Sequence, residues 1–360
     1  VASAQPASQE SKSRFLKSYA DAYGVAPDEA ERRMKLQREI GKLGAQMKQD
    51  PAYGGHYIEH KPVYRVVARF TGDAAAALAK YTQDPLWVSE VAAVPYSDLV
   101  QTQSTVYGLL KGLRIESASR VDVPTGQVEF FVLDPAAVQQ LISAGTLKVP
   151  SYVRIGKALD LAPEREAKVE GGRPLTGGAC TSGFTIYKTG TTNRFLTTAG
   201  HCQSVGAITY NGVTLPLAGR NWVSGQVYDY QWHTRATFDP LTNVIYEGFE
   251  ALLPITGMWP YEYMQTGDWI CKWGSATDWT CGGIISLNYD ALGGGGFVQV
   301  HHPDNFNLSE GGDSGAPWYE NYYQEAWGSH TDHARNNFND AVFMPISRIS
   351  ATGHAVLTSP

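Results

Sequence analysis

Beyond residue 168 the chain is written in short β-prone runs, each stopped by Gly, Asn or Asp. Phe184-Thr185-Ile186-Tyr187, Ala207-Ile208-Thr209-Tyr210, the run from Val227 to Trp232, Gly283 to Asn288 and Phe297 to Val300 are examples. Many short strands separated by turn residues fold as a β-barrel or β-sandwich and leave little room for another architecture. The glycines say the same: 26 of the 37 lie in the last 192 residues and 11 in the first 168. The second half is therefore expected to be all-β.

The first half has a different grammar. Ala26-Pro27-Asp28-Glu29 opens a helix, with Pro27 in its first turn. Tyr64, Val66, Ala68 and Phe70 alternate with Arg65, Val67 and Arg69, which predicts a strand over Val63 to Phe70. An Ala-rich helix over Asp73 to Lys80 and a strand from Trp87 to Val94 follow. Ser97 is a candidate cap for a helix carrying Leu99, Val106, Leu110 and Leu113. Pro124-Thr125-Gly126 marks a hairpin turn between Val121 and the run Gln127 to Leu133. Asp134-Pro135 starts another helix, and Val149 to Ile155 reads as a strand. The expectation is an α+β domain over residues 1–168 and an all-β domain over 169–360. Their boundary falls at about 160–172, inside a charged, Ala-rich stretch that reads as an exposed linker.

Charge also divides the chain. The first 168 residues carry 21 Lys and Arg against 19 Asp and Glu; the rest carry 8 against 16. No basic patch suggests a nucleic-acid partner, and no run approaches the roughly 18 apolar residues of a membrane helix. A monomer is expected. All four cysteines, Cys180, Cys202, Cys271 and Cys281, lie in the second half. They allow three connectivities, of which Cys180–Cys202 with Cys271–Cys281 closes the shortest loops. Disulfides point to an oxidising compartment, so secretion is expected, and Ala2-Ser3-Ala4 fits the context of a removed signal. Zinc spacing is absent from the cysteines, and His301-His302 and His330-Thr331-Asp332-His333 lack the Glu of a helical zinc motif. No metal and no cofactor are expected.

Three segments carry chemistry: Thr197-Thr198-Ala199-Gly200-His201-Cys202, Tyr228-Asp229-Tyr230, and Glu310-Gly311-Gly312-Asp313-Ser314-Gly315-Ala316. A serine hydroxyl becomes a useful nucleophile when an imidazole takes its proton and a carboxylate fixes that imidazole's tautomer. Backbone N–H groups must also receive the oxyanion, and Gly312 and Ser314 are placed to supply two. The chain order His, Asp, Ser separates this set from the α/β-hydrolase order. Asp239 is a second candidate carboxylate, but Asp239-Pro240 reads as a turn, whereas Asp229 follows a strand-like Gly225 to Tyr228.

On these residues the second half resembles the bacterial chymotrypsin-like serine proteases of the streptogrisin and α-lytic type. The matching pieces are Thr198-Ala199-Gly200-His201-Cys202, Gly312-Asp313-Ser314-Gly315 and the loop Cys271-Lys272-Trp273-Gly274-Ser275-Ala276-Thr277-Asp278-Trp279-Thr280-Cys281-Gly282. The resemblance implies two six-stranded β-barrels and both disulfides named above. It also implies His201 as general base and acid, Asp229 as its orienter and Ser314 as nucleophile. Arg32 to Gln37, and Tyr57 to His60 running into Tyr64 to Thr71, are similar to the pro-regions of such proteases. That implies a folding aid and inhibitor that is cut away, with cleavage expected within Asp160 to Gly172. Ala316 stands where the family has Gly, the Cys before the Gly-Asp-Ser segment is missing, and Lys272 replaces an Arg that pairs with the Asp before the nucleophile. Lys272 is therefore expected to reach Asp313, less rigidly than a forked guanidinium would.

The expected substrates are polypeptides. Leu308, six residues before Ser314, disfavours a Lys or Arg side chain at the cleaved position. The pocket is expected to involve Leu308, Ser309, Gly311, Ser329 and His330, with Ser329 offering its backbone to the substrate. An apolar or medium-sized residue is the expected preference, with His330 leaving an acidic one as the alternative. A catalytically silent homologue whose first half is a binding domain, and an esterase, are the competing readings.

Overall fold

The computed structural model describes residues 5–159, 174–176, 180–202, 207–210, 213–222, 227–234, 241–247, 252–290 and 295–358. The whole expected cleavage stretch, Asp160 to Gly172, and Asp239 lie outside the described residues.

The chain opens with two long helices, α1 (Gln5–Tyr23) and α2 (Pro27–Met47). Sequence patterning missed α1, whose polar composition hides its buried side: Phe15 and Tyr19 are fully buried against the second half. Gly24, at φ 65°, ends α1 in the left-handed region, and Val25 N–H bonds back to Ala20 O at 3.0 Å. A three-stranded sheet follows, built of β1 (Tyr53–Glu59), β2 (Arg65–Phe70) and β3 (Trp87–Val91), with α3 (Ala74–Leu78) crossing between the parallel β2 and β3. Next come α4 (Tyr96–Gly112), β4 (Ala118–Asp122), β5 (Gln127–Val132), α5 (Pro135–Ser143) and β6 (Val153–Lys157). Asp73 and Asp134 cap α3 and α5 through Ala76 N and Ala137 N. Ser97 caps nothing: α4 begins one residue before it, after Pro95, and the Ser97 hydroxyl turns to Asp98.

The second half contributes β7 (Pro174–Thr176), β8 (Cys180–Thr181), β9 (Thr185–Lys188), β10 (Arg194–Thr198), β11 (Ala207–Tyr210), β12 (Val213–Trp222) and β13 (Asp229–Thr234). It continues through β14 (Val244–Tyr246), β15 (Leu252–Pro254), β16 (Gly257–Met258), β17 (Trp269–Gly274), β18 (Asp278–Asp290) and β19 (Phe297–His301). The last strands are β20 (Pro317–Glu320), β21 (Glu325–Ala334), β22 (Asn337–Pro345) and β23 (His354–Val356). One sheet runs β23-β9-β10-β13-β12-β11-β7-β8. The other closes on itself as β17-β20-β21-β22-β19-β18, because β18 pairs with both β19 and β17. The second half is thus built mainly of β-strands in two sheets, with Tyr230, Phe184, Tyr319 and Met344 packed in the core between them. Among the described residues the first sheet holds eight short strand segments.

The first half is stitched to the second barrel. β4 adds to the end of β18 through Tyr289↔Arg120 and Asp290↔Ser119, so β4, β5 and β6 extend the barrel's sheet. On another face, the Gln265–Asp268 turn inserts between α2 and β1. Ile58 N–H donates to Thr266 O (2.9 Å), Trp269 N–H to Gln37 Oε1 (2.9 Å), and Gln265 Nε2–H to Gln37 O (2.9 Å). Gly267 sits at φ 99°, where a Cβ would lie 2.6 Å from Ile58 Cβ.

Candidate active site

β10 and β13 are paired with Thr198 opposite Gln231, so the residues just past the end of β10 face the first residue of β13. That register brings His201 to Asp229. Gly200 makes the approach possible, since a Cβ there would lie 2.6 Å from Trp222 Cβ and 2.8 Å from Tyr230 N. Asp229, 2 % exposed, accepts from His201 N–H through Oδ1 and from the ring through Oδ2, both at 2.9 Å. A buried carboxylate on Nδ1 assigns the ring proton to that nitrogen, which leaves Nε2 as an acceptor. Ser314 Oγ lies 2.8 Å from Nε2. The three residues named from the sequence therefore meet in one hydrogen-bonded line across the two sheets.

Gly312 adopts φ 111° and Gly315 φ 90°, conformations that favour glycine. Among the described residues neither the Gly312 nor the Ser314 N–H donates a hydrogen bond, so both amides are free to meet an oxyanion. Ala316 avoids the left-handed region and is fully buried, which explains why it fits where glycine is usual.

Lys272 Nζ reaches Asp313 Oδ2 at 2.7 Å, with both side chains fully buried. Thr277 Oγ1–H (2.6 Å) and Ala276 N–H (2.8 Å) also donate to this carboxylate. Burial pushes the Asp313 carboxyl up, but the Lys272 charge, the nearby His330 and these hydrogen bonds more than reverse that and hold it at about 2. Both disulfides are formed, Cys180–Cys202 and Cys271–Cys281, and the second ties the base of the β17–β18 hairpin whose turn grips Asp313.

Of the expected pocket residues, Ser329 has its backbone in use: it sits inside the sheet, paired with Pro317 on one side and Met344 on the other. The edge that opens beside the nucleophile is further along, past His330, where β20 ends. The first half reaches that edge: Leu159 N–H donates to Arg335 O at 3.0 Å, and Ala158 is buried beside Ala334 and Tyr289. Leu308 and Ser309 are buried, while Gly311 is half-buried. Trp318 Nε1–H donates to His330 Nδ1 (3.3 Å), so His330 Nε2–H donates to Ser309 Oγ (2.8 Å). Burial first, then the Lys272 charge, keeps this imidazole neutral well below the usual histidine range. His301 is paired with Asp340, and His333 with Asp332 and Arg335. Sequence reasoning passed over Thr181 entirely and treated Ser275 only as part of a loop; both hydroxyls touch the Gly312 carbonyl.

Over 181 residues, 47 % of its length, the chain is 29 % identical to streptogrisin-C of Streptomyces griseus. The chain spans only 36 % of streptogrisin-C's length. It is also similar to the crystal structures of Thermobifida fusca protease A (26 % identity, TM-score 0.43, covering 54 % of this chain and all of that one) and Cellulomonas bogoriensis chymotrypsin (24 %, 0.42, 53 % and 99 %). No protein-family model matches the chain.

Proposed function

We propose that the chain is a serine endopeptidase in precursor form, with Ser314 as nucleophile, His201 as general base and then acid, and Asp229 as the group that orients His201. The observation that carries the proposal is the Asp229–His201–Ser314 line, with spacings of 2.9 and 2.8 Å. His201 Nε2 takes the Ser314 proton as Oγ attacks the peptide carbonyl. The Gly312 and Ser314 amides receive the oxyanion, and the imidazolium returns its proton to the leaving amine. Water then repeats the cycle on the acyl-enzyme, and no cofactor takes part.

The precursor reading is supported by the way the first half reaches the end of β21: Leu159 N–H bonds Arg335 O in the turn that follows it, beside the edge along which an extended substrate would lie. Cleavage between Asp160 and Gly172 would cut the tether behind this segment. The strand addition at β18 would template the second barrel as it folds, which fits a folding aid that inhibits until removed. An exported protein suits the two disulfides; among the described residues no helix is long and apolar enough to cross a membrane.

Leu308 at the pocket excludes a charge partner for Lys or Arg there. Apolar and acidic cleaved residues separate in a peptide-library digest; selection of acidic residues would identify the Ser309–His330 pair as the contact. Intact-mass analysis tests processing, and an organophosphonate probe tests the nucleophile. A chain that folds, stays intact at 39.3 kDa and leaves Ser314 unlabelled would end the proposal.

A further inference from the structure

We infer that Thr181 and Ser275 are positioning residues for catalysis: their two hydroxyls hold the Gly312 carbonyl so that the Gly312 amide stays aimed at the oxyanion. The inference rests on the proposed acyl-transfer role of Ser314.

Thr181 Oγ1–H donates to Gly312 O at 2.7 Å, and Ser275 Oγ–H donates to the same oxygen. A carbonyl oxygen has two lone pairs, so these two donors fill it. The Thr181 oxygen in turn accepts from Ser275 N–H at 3.2 Å, which closes a ring of Thr181, Ser275 and Gly312. The donors come from separate parts of the fold. Thr181, fully buried, ends β8; Ser275 sits in the turn between β17 and β18. Each is braced independently. Thr181 N–H donates to Ser314 O (2.8 Å) and Thr198 Oγ1–H donates to Thr181 O (2.8 Å), while the Ser275 turn is tied at its base by Cys271–Cys281. The nucleophile loop is thus gripped at the carbonyls of Gly312 and Ser314, the residues whose amides face the oxyanion.

Gly312 needs such a grip. Without a side chain, and at φ 111°, it has alternative backbone conformations that an ordinary residue lacks. Rotation of its peptide planes would swing the N–H away and bring carbonyl oxygen towards the developing negative charge. The N–H belongs to the Gly311–Gly312 peptide and the carbonyl to the Gly312–Asp313 peptide, so two hydroxyls on Gly312 O fix the second plane and oppose those loop rotations about Gly312 in which both planes move; Thr181 and Ser275 do this without touching the substrate.

The test expresses the full-length chain and three variants, Thr181→Val, Thr181→Ser and Ser275→Ala, and uses each after cleavage between the halves and release of the first half. Each is active-site titrated and assayed with a peptide amide for kcat and KM, and with a peptidyl trifluoromethyl ketone, whose hemiketal oxyanion needs the same amides. A complete oxyanion donor is worth about 10²–10³ in kcat, so loosening one is expected to cost about 10-fold in Thr181→Val and in Ser275→Ala. KM should stay within about twofold, the pattern of an interaction made in the transition state. Ketone affinity should fall in step with kcat, and Thr181→Ser, which keeps the hydroxyl, should recover most of the loss. Unchanged kcat and ketone affinity in the titratable variants, or a rise in KM alone, would overturn the inference. If Thr181→Val fails to fold, Ser275→Ala gives the same decision. A wild-type chain that, once cleaved and freed of its first half, neither hydrolyses the peptide nor reacts at Ser314 would overturn the proposed function, and this inference with it.

Discussion

Replacing Lys272 by Met should reverse the pH dependence of the second barrel's stability. Asp313 and Lys272 are both fully buried, 2.7 Å apart. In the native chain the Asp313 carboxyl is held at about 2, against an ordinary 3.8, a difference on the order of 2 kcal/mol in favour of the ionised form. A carboxyl depressed on folding contributes stability that is complete above its unfolded value, near pH 4. That contribution drains away as pH falls towards 2. Lys272→Met removes the main opposing charge and leaves burial as the dominant influence, so the folded carboxyl rises above its unfolded value. The variant must then either bury an unpaired carboxylate or take up a proton. Breaking a buried pair in this way costs about 3–5 kcal/mol. The Thr277 and Ala276 donors remain, which places the expected loss at the lower end, about 3 kcal/mol at pH 7. The gap to wild type should shrink steadily between pH 7 and pH 4. Urea unfolding at several pH values, in a Ser314→Ala background to prevent self-digestion, measures it. A Lys272→Met chain within 1 kcal/mol of its parent at pH 7, with the same pH slope, would refute this account of the pair.

Four further outcomes are expected. Asp229→Asn should lower kcat by about 10⁴-fold with little change in KM, because the amide no longer holds the Nδ1–H tautomer; stopped or steady-state kinetics decide it. Replacing Cys271 and Cys281 together by Ser opens a loop with a sequence separation of 10 and should cost about 3 kcal/mol in denaturant unfolding, with kcat falling as the Ser275 turn loosens. Gly267→Ala places a Cβ against Ile58 and should cost about 1–3 kcal/mol locally, read as faster hydrogen exchange over Tyr53–Glu59 in the full chain. His56, 4 % exposed and bonded to Gln265 across the join, is held at about 4 by burial and by Lys48. Its share of the docking stability is complete above pH 6.5 and is lost as pH falls towards 4. A His56→Gln chain should show a shallower loss of thermal stability over that window.

The parts of this molecule that can be read from its residues are those where local chemistry is unusual. The triad segments stand out because a Ser between glycines, a His before a Cys and an Asp entering a strand are rare together. Asp73, Asp134 and Pro27 mark helix starts for reasons that act within four residues, and the helices begin there. What stayed hidden depends on contacts between distant segments. α1 has a polar sequence, and its role is visible only once Phe15 and Tyr19 meet Trp269. That Ser329 lies between two paired strands was hidden as well, because spacing alone does not reveal where β20 ends. Thr181 and Ser275 are 94 residues apart and acquire their meaning by sharing one carbonyl oxygen.

The most direct measurement is mass spectrometry of the chain after treatment with a fluorophosphonate. One covalent adduct on the peptide containing Ser314, lost in Ser314→Ala and strongly slowed in His201→Ala, is the predicted result. A folded wild-type chain that takes up no adduct after cleavage and release of its first half, or takes it up equally well without His201, would contradict the claim that this imidazole activates this hydroxyl.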